Sequence, residues 1–160
     1  MMRGTRTGCV LLAALTFAAG CSTYGTAGRE PVAEAPASGT ISGHPLENTE
    51  WVLVELGGQP ARAAGTNRAP TLRLDAAQKR AAGDAGCNTF SGGYELSGQT
   101  LRFGTLASTR RACADEELTR QEGAFLRALA DTRTWRVAGN VLVLSGEAGT
   151  LARFEARLLN

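Results

Sequence analysis

Gly83-Asp84-Ala85-Gly86-Cys87-Asn88-Thr89-Phe90-Ser91-Gly92-Gly93-Tyr94 decides how the rest of the chain folds. It is dense in glycine, holds one of the four cysteines, and separates two stretches with strand lettering, so it reads as a turn between strands. Gly86 and Gly92-Gly93 allow positive φ or close backbone approach. Asn88 is expected to bond a backbone amide two residues on, and Phe90 and Tyr94 to turn inward beneath the turn.

On its amino-terminal side, Glu50-Trp51-Val52-Leu53-Val54-Glu55-Leu56 is rich in β-branched and aromatic residues and stops at Gly57-Gly58, which predicts a strand. Residues 59–69 read as a loop. Thr71-Leu72-Arg73-Leu74-Asp75 alternates like a half-buried strand, and residues 79–83 lead into the turn as a third. On the carboxy-terminal side, residues 94–96 and 100–103 flank Ser97-Gly98-Gln99 at hairpin spacing, and residues 135–137 and 141–144 flank Ala138-Gly139-Asn140 likewise. Residues 151–156 make a last strand. Between the hairpins Asp115 is an N-cap, and Glu116 and Glu117 complement the positive start of a helix. Leu118, Phe125, Leu126 and Leu129 share one face of that helix. The expected fold is α+β: a compact curved antiparallel sheet of about seven or eight strands, its open face packed on a single helix.

Arg3 and Arg6 precede a short apolar run over residues 9–18 and the small residues Ala19-Gly20, which is the pattern of a secretory signal occupying residues 1–20. Ala18-Ala19-Gly20-Cys21 resembles the lipobox of bacterial lipoproteins, in which the cysteine becomes the lipidated first residue. The resemblance makes Cys21 the lipidation site and acyl chains the membrane anchor. Ser22 after it, where aspartate would mark inner-membrane retention, favours the outer membrane facing the periplasm. Residues 22–47 are rich in Gly, Ala, Pro, Ser, Thr and Glu without apolar periodicity, and read as a flexible tether with an average reach of roughly 30 Å.

The sequence carries 17 basic and 15 acidic residues, and without Arg3 and Arg6 fifteen face fifteen. A neutral mature chain with no basic run argues against nucleic-acid binding. His44 is the only histidine and falls in the tether, so neither a Ser-His nor a Cys-His nucleophile pair can be assembled within the folded part. Asp84, Glu95 and Glu117 are scattered carboxylates with no evident pairing. No catalytic residue and no cofactor is therefore expected. If Cys9 leaves with the signal and Cys21 takes lipid, Cys87 and Cys113 remain as a pair in an oxidising compartment. A disulfide between them would contribute roughly 3–4 kcal/mol by restricting the unfolded chain; two buried thiols are the alternative. With Asp84 nearby they would be at most part of a ligand set, and no metal is expected.

Trp51-Val52-Leu53, Gly86-Cys87-Asn88-Thr89-Phe90-Ser91-Gly92 and Thr109-Arg110-Arg111-Ala112-Cys113 together resemble the META domain of HslJ-like bacterial lipoproteins. The order that follows agrees: an acidic helix with Glu122 and Phe125, then Trp135 and the strand over 141–144. The domain is placed over residues 48–160. The resemblance implies a compact α+β fold, a place in the cell envelope, and links to stress response and antibiotic tolerance. It carries over no catalytic residues. Gly86, Asn88, Phe90, Gly92, Thr109 and Arg110 are expected to be structural, with Thr109 and Arg110 locking the loop opposite the turn. The expected function is non-catalytic binding or assembly at the envelope by a monomer with an unidentified protein partner. The alternative is an inhibitor of an envelope lysozyme or protease that acts through the loop over 59–69.

Overall fold

The computed structural model describes residues 43–65 and 68–157. The expected signal, the lipidation site Cys21 and the tether as far as residue 42 lie outside the described residues. In chain order the elements are β1 (Glu50–Leu56), β2 (Gln59–Pro60), β3 (Thr71–Asp75), β4 (Arg80–Asp84), β5 (Thr89–Ser97), β6 (Thr100–Phe103) and β7 (Ala107–Ser108). They continue with α1 (Glu116–Asp131), β8 (Thr134–Ala138), β9 (Val141–Gly146) and β10 (Gly149–Ala156).

Eight of these strands form an antiparallel barrel in the order β1-β3-β4-β5-β6-β8-β9-β10, and β10 returns to pair with β1. This corrects the expected open curved sheet: there is one helix, but the sheet closes on itself. Closure runs from Trp51 opposite Ala156 to Leu56 opposite Ala152, with a bulge between Leu53 and Glu55. A second bulge lies between Thr150 and Ala152 where β10 meets β9. Such bulges bend the strands that carry them and let a twisted sheet curl. The thinnest seam is β6–β8, where Thr100 and Thr134 are the paired residues. It is held by main-chain bonds from Leu101 N to Arg133 O and from Trp135 N to Gln99 O, and by the Trp135 indole donating to Gly98 O at 3.0 Å. Short β2 and β7 lie outside the ring, β2 on β1 and β7 on the start of β5.

Alternation sends one face of each strand inward. Trp51, Leu72, Leu74, Leu101, Leu142, Leu144 and Phe154 are all fully buried. A ring of eight strands leaves an interior that side chains can fill, and here they do. The helix covers one end of the ring instead of an open face, because closure leaves no broad face for it. Asp115 caps it, accepting from Glu117 N and Leu118 N. Its buried residues Leu118, Phe125, Ala128 and Leu129 follow the helical repeat. Phe125 drops between Phe90, edge-on at 5.7 Å, and Phe154 at 6.0 Å. Burial of such a side chain is worth about 1.5–3 kcal/mol.

The other end is closed by residues 44–48, so the part of the expected tether at 44–47 belongs to the folded domain. Leu46 is 5% exposed and its carbonyl accepts from the Trp51 indole at 2.9 Å. His44 N bonds Gly139 O, and Asn48, in the left-handed region at φ 64°, donates to Leu74 O. The Glu47 carboxylate accepts from the Tyr94 hydroxyl and from Lys79 Nζ at 2.9 Å. Composition hid this strap because only Leu46 is apolar within it. The Tyr94 hydroxyl and then the Lys79 ammonium hold Glu47 below the ordinary carboxylate range. Burial, then the bond to Glu47, pushes Tyr94 up.

The opening stretch is only partly a turn: residues 85–88 make it, and Phe90, Ser91, Gly92, Gly93 and Tyr94 already belong to β5. The reason is that Gly92 serves packing. A Cβ on Gly92 would lie 2.5 Å from Thr105 O, where the chain leading into β7 crosses the strand. One on Gly93 would meet nothing closer than Lys79 O at 3.9 Å.

Two predictions follow from this packing. Gly92→Ala should lower stability to urea by about 1–3 kcal/mol, while Gly93→Ala should change it by less than about 0.5 kcal/mol. Glu47, with its value depressed in the folded state, contributes stability that is present at neutral pH and lost as pH falls through that value. Melting temperatures taken from pH 7 to pH 3 should therefore fall less steeply for Glu47→Gln than for the parent chain.

Candidate functional site

The polar residues of the motif gather at the helix-covered end, where the β4–β5 turn, the loop over 109–114 and α1 meet. Gly86 takes φ 121°, which a side chain would strain, and lets the turn reverse. The expected side-chain bond to an amide two residues on is present, but Asp84 makes it, accepting from Gly86 N at 2.7 Å. Asn88 does something less local. Its Oδ1 accepts from Arg111 N at 2.7 Å and Thr109 Oγ1 at 2.8 Å. Its Nδ2 donates to Arg111 O at 3.2 Å and to Glu122 Oε1 at 2.8 Å. Both protons and both acceptor positions of the amide are therefore used, in a residue 5% exposed.

Glu122 completes the arrangement from the helix. Its Oε2 accepts from Cys87 N at 3.2 Å and Asn88 N at 3.0 Å. Charge-assisted bonds of this kind are about twice as strong as neutral ones. The Cys87 and Cys113 sulfurs are bonded, with 5.9 Å between their Cα atoms, so turn and loop are joined covalently as well. Among the described residues every buried side-chain N or O atom has a hydrogen-bond partner.

Thr109 locks the loop as expected, and its own N bonds Thr89 O. Arg110 does not: it is exposed and makes no side-chain hydrogen bond or ion pair among the described residues. The main chain of Arg111 takes that part, because an amide of Asn88 is matched by a backbone N–H and C=O pair more closely than by a guanidinium. Phe90 lies inward at 3% exposure, as expected, against Phe125. Glu122 was missed as a site residue. Its signal was available: it falls one helical turn from Leu118 and from Phe125, a charged group on an otherwise apolar stripe.

The scattered carboxylates stay apart. Asp84 ends β4 facing Arg68 at 3.7 Å, Glu95 lies on β5 opposite Arg102 of β6, and Glu117 pairs with Arg62 at the start of α1. Beside the disulfide is a cleft of 260 Å³ whose lining includes Arg68, Gly86, Cys87, Arg111, Cys113 and Asp115. The arrangement holds loops together beside a shallow cleft; among the described residues it does not bring an acid, a base and a nucleophile to one point.

Removing the Glu122 carboxylate would leave Cys87 N, Asn88 N and one of the two Asn88 Nδ2 protons without a partner. Glu122→Ala should therefore cost about 2–4 kcal/mol in urea unfolding, whereas Arg110→Ala should stay within about 0.5 kcal/mol of the parent.

Comparison with known proteins agrees with this geometry. No curated protein matches the chain. A structure solved by NMR is similar at 27% identity and a TM-score of 0.57, over 72% of this chain and 95% of that one. An NMR structure of a protein from Burkholderia xenovorans is similar at 28% identity and a TM-score of 0.57, over 79% and 99%. A DUF4847-family protein from Bacteroides vulgatus shares the fold alone, at 15% identity and a TM-score of 0.51 over 72% and 96%. The family model of the META domain matches residues 44–157, from the strap that closes one end of the barrel to the last described residue, and the chain belongs to that family.

Proposed function

We propose that the chain is a non-catalytic module held at the cell envelope by lipid on Cys21, with a binding or assembly role in envelope stress tolerance. The observation that supports the domain's non-catalytic reading is how its motif side chains are spent. Asn88, Thr109 and Glu122 bond one another and the loops they join, and Asp84 bonds the turn. Groups committed in this way hold a surface in shape and are not free to move protons or attack a substrate. The anchor rests on the signal pattern over residues 1–20 and the lipobox at 18–21.

A second reading, inhibition of an envelope hydrolase, is favoured by one feature. The base of the 59–69 loop is fastened to the helix: Arg62 N donates to Gln121 Oε1 at 2.7 Å, and Gln121 Nε2 returns a bond to Arg62 O at 2.8 Å. A loop fixed at its base loses less entropy on binding than a free one.

The test is fractionation with labelled palmitate, combined with crosslinking in intact cells. The parent chain should carry label and sediment with membranes. Cys21→Ala should lose the label and remain as unprocessed precursor or leave the membrane fraction. Crosslinked partners that are structural envelope proteins support the assembly role, repeated recovery of one hydrolase supports inhibition, and a soluble unlabelled parent chain overturns the anchor.

A further inference from the structure

We propose that reduction of the Cys87–Cys113 disulfide converts the clasp into a zinc site, with both sulfurs and the Glu122 carboxylate as protein ligands and water in the fourth position. Among the described residues, Cys87 Sγ, Cys113 Sγ and a Glu122 carboxylate oxygen lie within 4.8 Å of one another. Zinc bonds to sulfur are about 2.3 Å long, so tetrahedral geometry sets two thiolates about 3.7 Å apart. The Cα atoms, 5.9 Å apart, allow that spacing once the covalent bond is broken, with the side chains rotating and the backbone staying in place.

The third ligand is already held. Glu122 is oriented by Cys87 N, Asn88 N and Asn88 Nδ2, three bonds that leave one acceptor position of the carboxylate for a metal. Hydrogen-bonded support of this kind is what fixes metal-ligating carboxylates elsewhere. Two thiolates and a carboxylate bring three negative charges to an ion of two, and Arg111 lines the same cleft to offset the excess, Arg68 there being already paired with Asp84 at 3.7 Å. The acids nearest the site, Asp84 and Asp115, are engaged with Gly86 N and with the first turn of α1. The cleft opens to solvent, so ion and reductant have a path to the sulfurs.

The chemistry balances with a dithiol reductant. Its two thiols become a disulfide, and two electrons and two protons pass to Cys87 and Cys113. Zinc then binds the thiolates, and the two thiol protons go to solvent. Loading would replace the covalent clasp with a coordinate one and so keep the turn, the loop and α1 together under reducing conditions.

The experiment uses the full-length chain carrying Cys9→Ser and Cys21→Ser, so that Cys87 and Cys113 are its only thiols, reduced with a phosphine in the absence of oxygen and titrated with zinc against a chromophoric chelator. One ion per reduced chain is expected, with none bound by the oxidised chain. Cys113→Ser should abolish binding, and Glu122→Ala should weaken it by on the order of 10-fold or more. Because Glu122→Ala also weakens the fold, X-ray absorption at the zinc edge of the parent chain gives an independent reading. Two sulfurs at about 2.3 Å with oxygen at about 2.0–2.2 Å support the site. No stoichiometric binding, binding by the oxidised chain, or a zinc shell without two sulfurs and oxygen overturns it.

Discussion

The hydrogen bonds that converge on Asn88 and Glu122 are the constraint on which the rest of this structure depends. They join segments that are far apart in sequence: a turn at 85–88, a loop at 109–113 and a helix beginning at residue 116. Each segment alone would leave backbone groups unpaired at a half-buried surface, which costs more than the bonds return when made. Asn88 suits the position because an amide offers two donors and two acceptors on one short side chain. A carboxylate or a hydroxyl at that place would leave at least one of the Arg111, Thr109 or Glu122 groups unmatched.

The clasp has its effect through the barrel. Holding α1 by Glu122 sets Phe125 between Phe90 and Phe154 and so covers one end of the ring. The strap over 44–48 covers the opposite end with Leu46, fixed by the Trp51 indole and by Glu47 on Tyr94 and Lys79. With both ends covered and the interior filled by leucine and aromatic side chains, recognition falls to outer surfaces. The cleft beside the disulfide is one of them, walled by the turn and the loop that the clasp joins.

Much of this was legible in the letters. Strand β1 falls where β-branched and aromatic residues placed it and β3 where alternation did, both hairpins turn at their glycines, and Asp115 caps the helix. These features are local, set by side-chain period, turn chemistry and capping within a few residues. The readings that failed were those in which a local rule competed with a distant contact. Gly92 makes the close backbone approach expected of it, but from within a strand under Thr105 and not from the turn, and Asn88 looked like a local turn-former but bonds Arg111, Thr109 and Glu122. Arg110 looked like the lock beside Thr109, yet the bond is made by the next residue's main chain.

By itself the sequence determined the type and order of most elements of the domain, the absence of a second histidine, and the family to which the domain belongs. Periodicity and turn chemistry carry the elements and the resemblance of its motifs carries the family, without any knowledge of what lies opposite. Only the tertiary structure decided that the sheet closes, that residues 44–47 complete the domain, and that Glu122 stands beside the cysteine pair. Each of these depends on which distant groups meet across the ring, and a charged residue on an apolar stripe discloses its role only when its partner is in place.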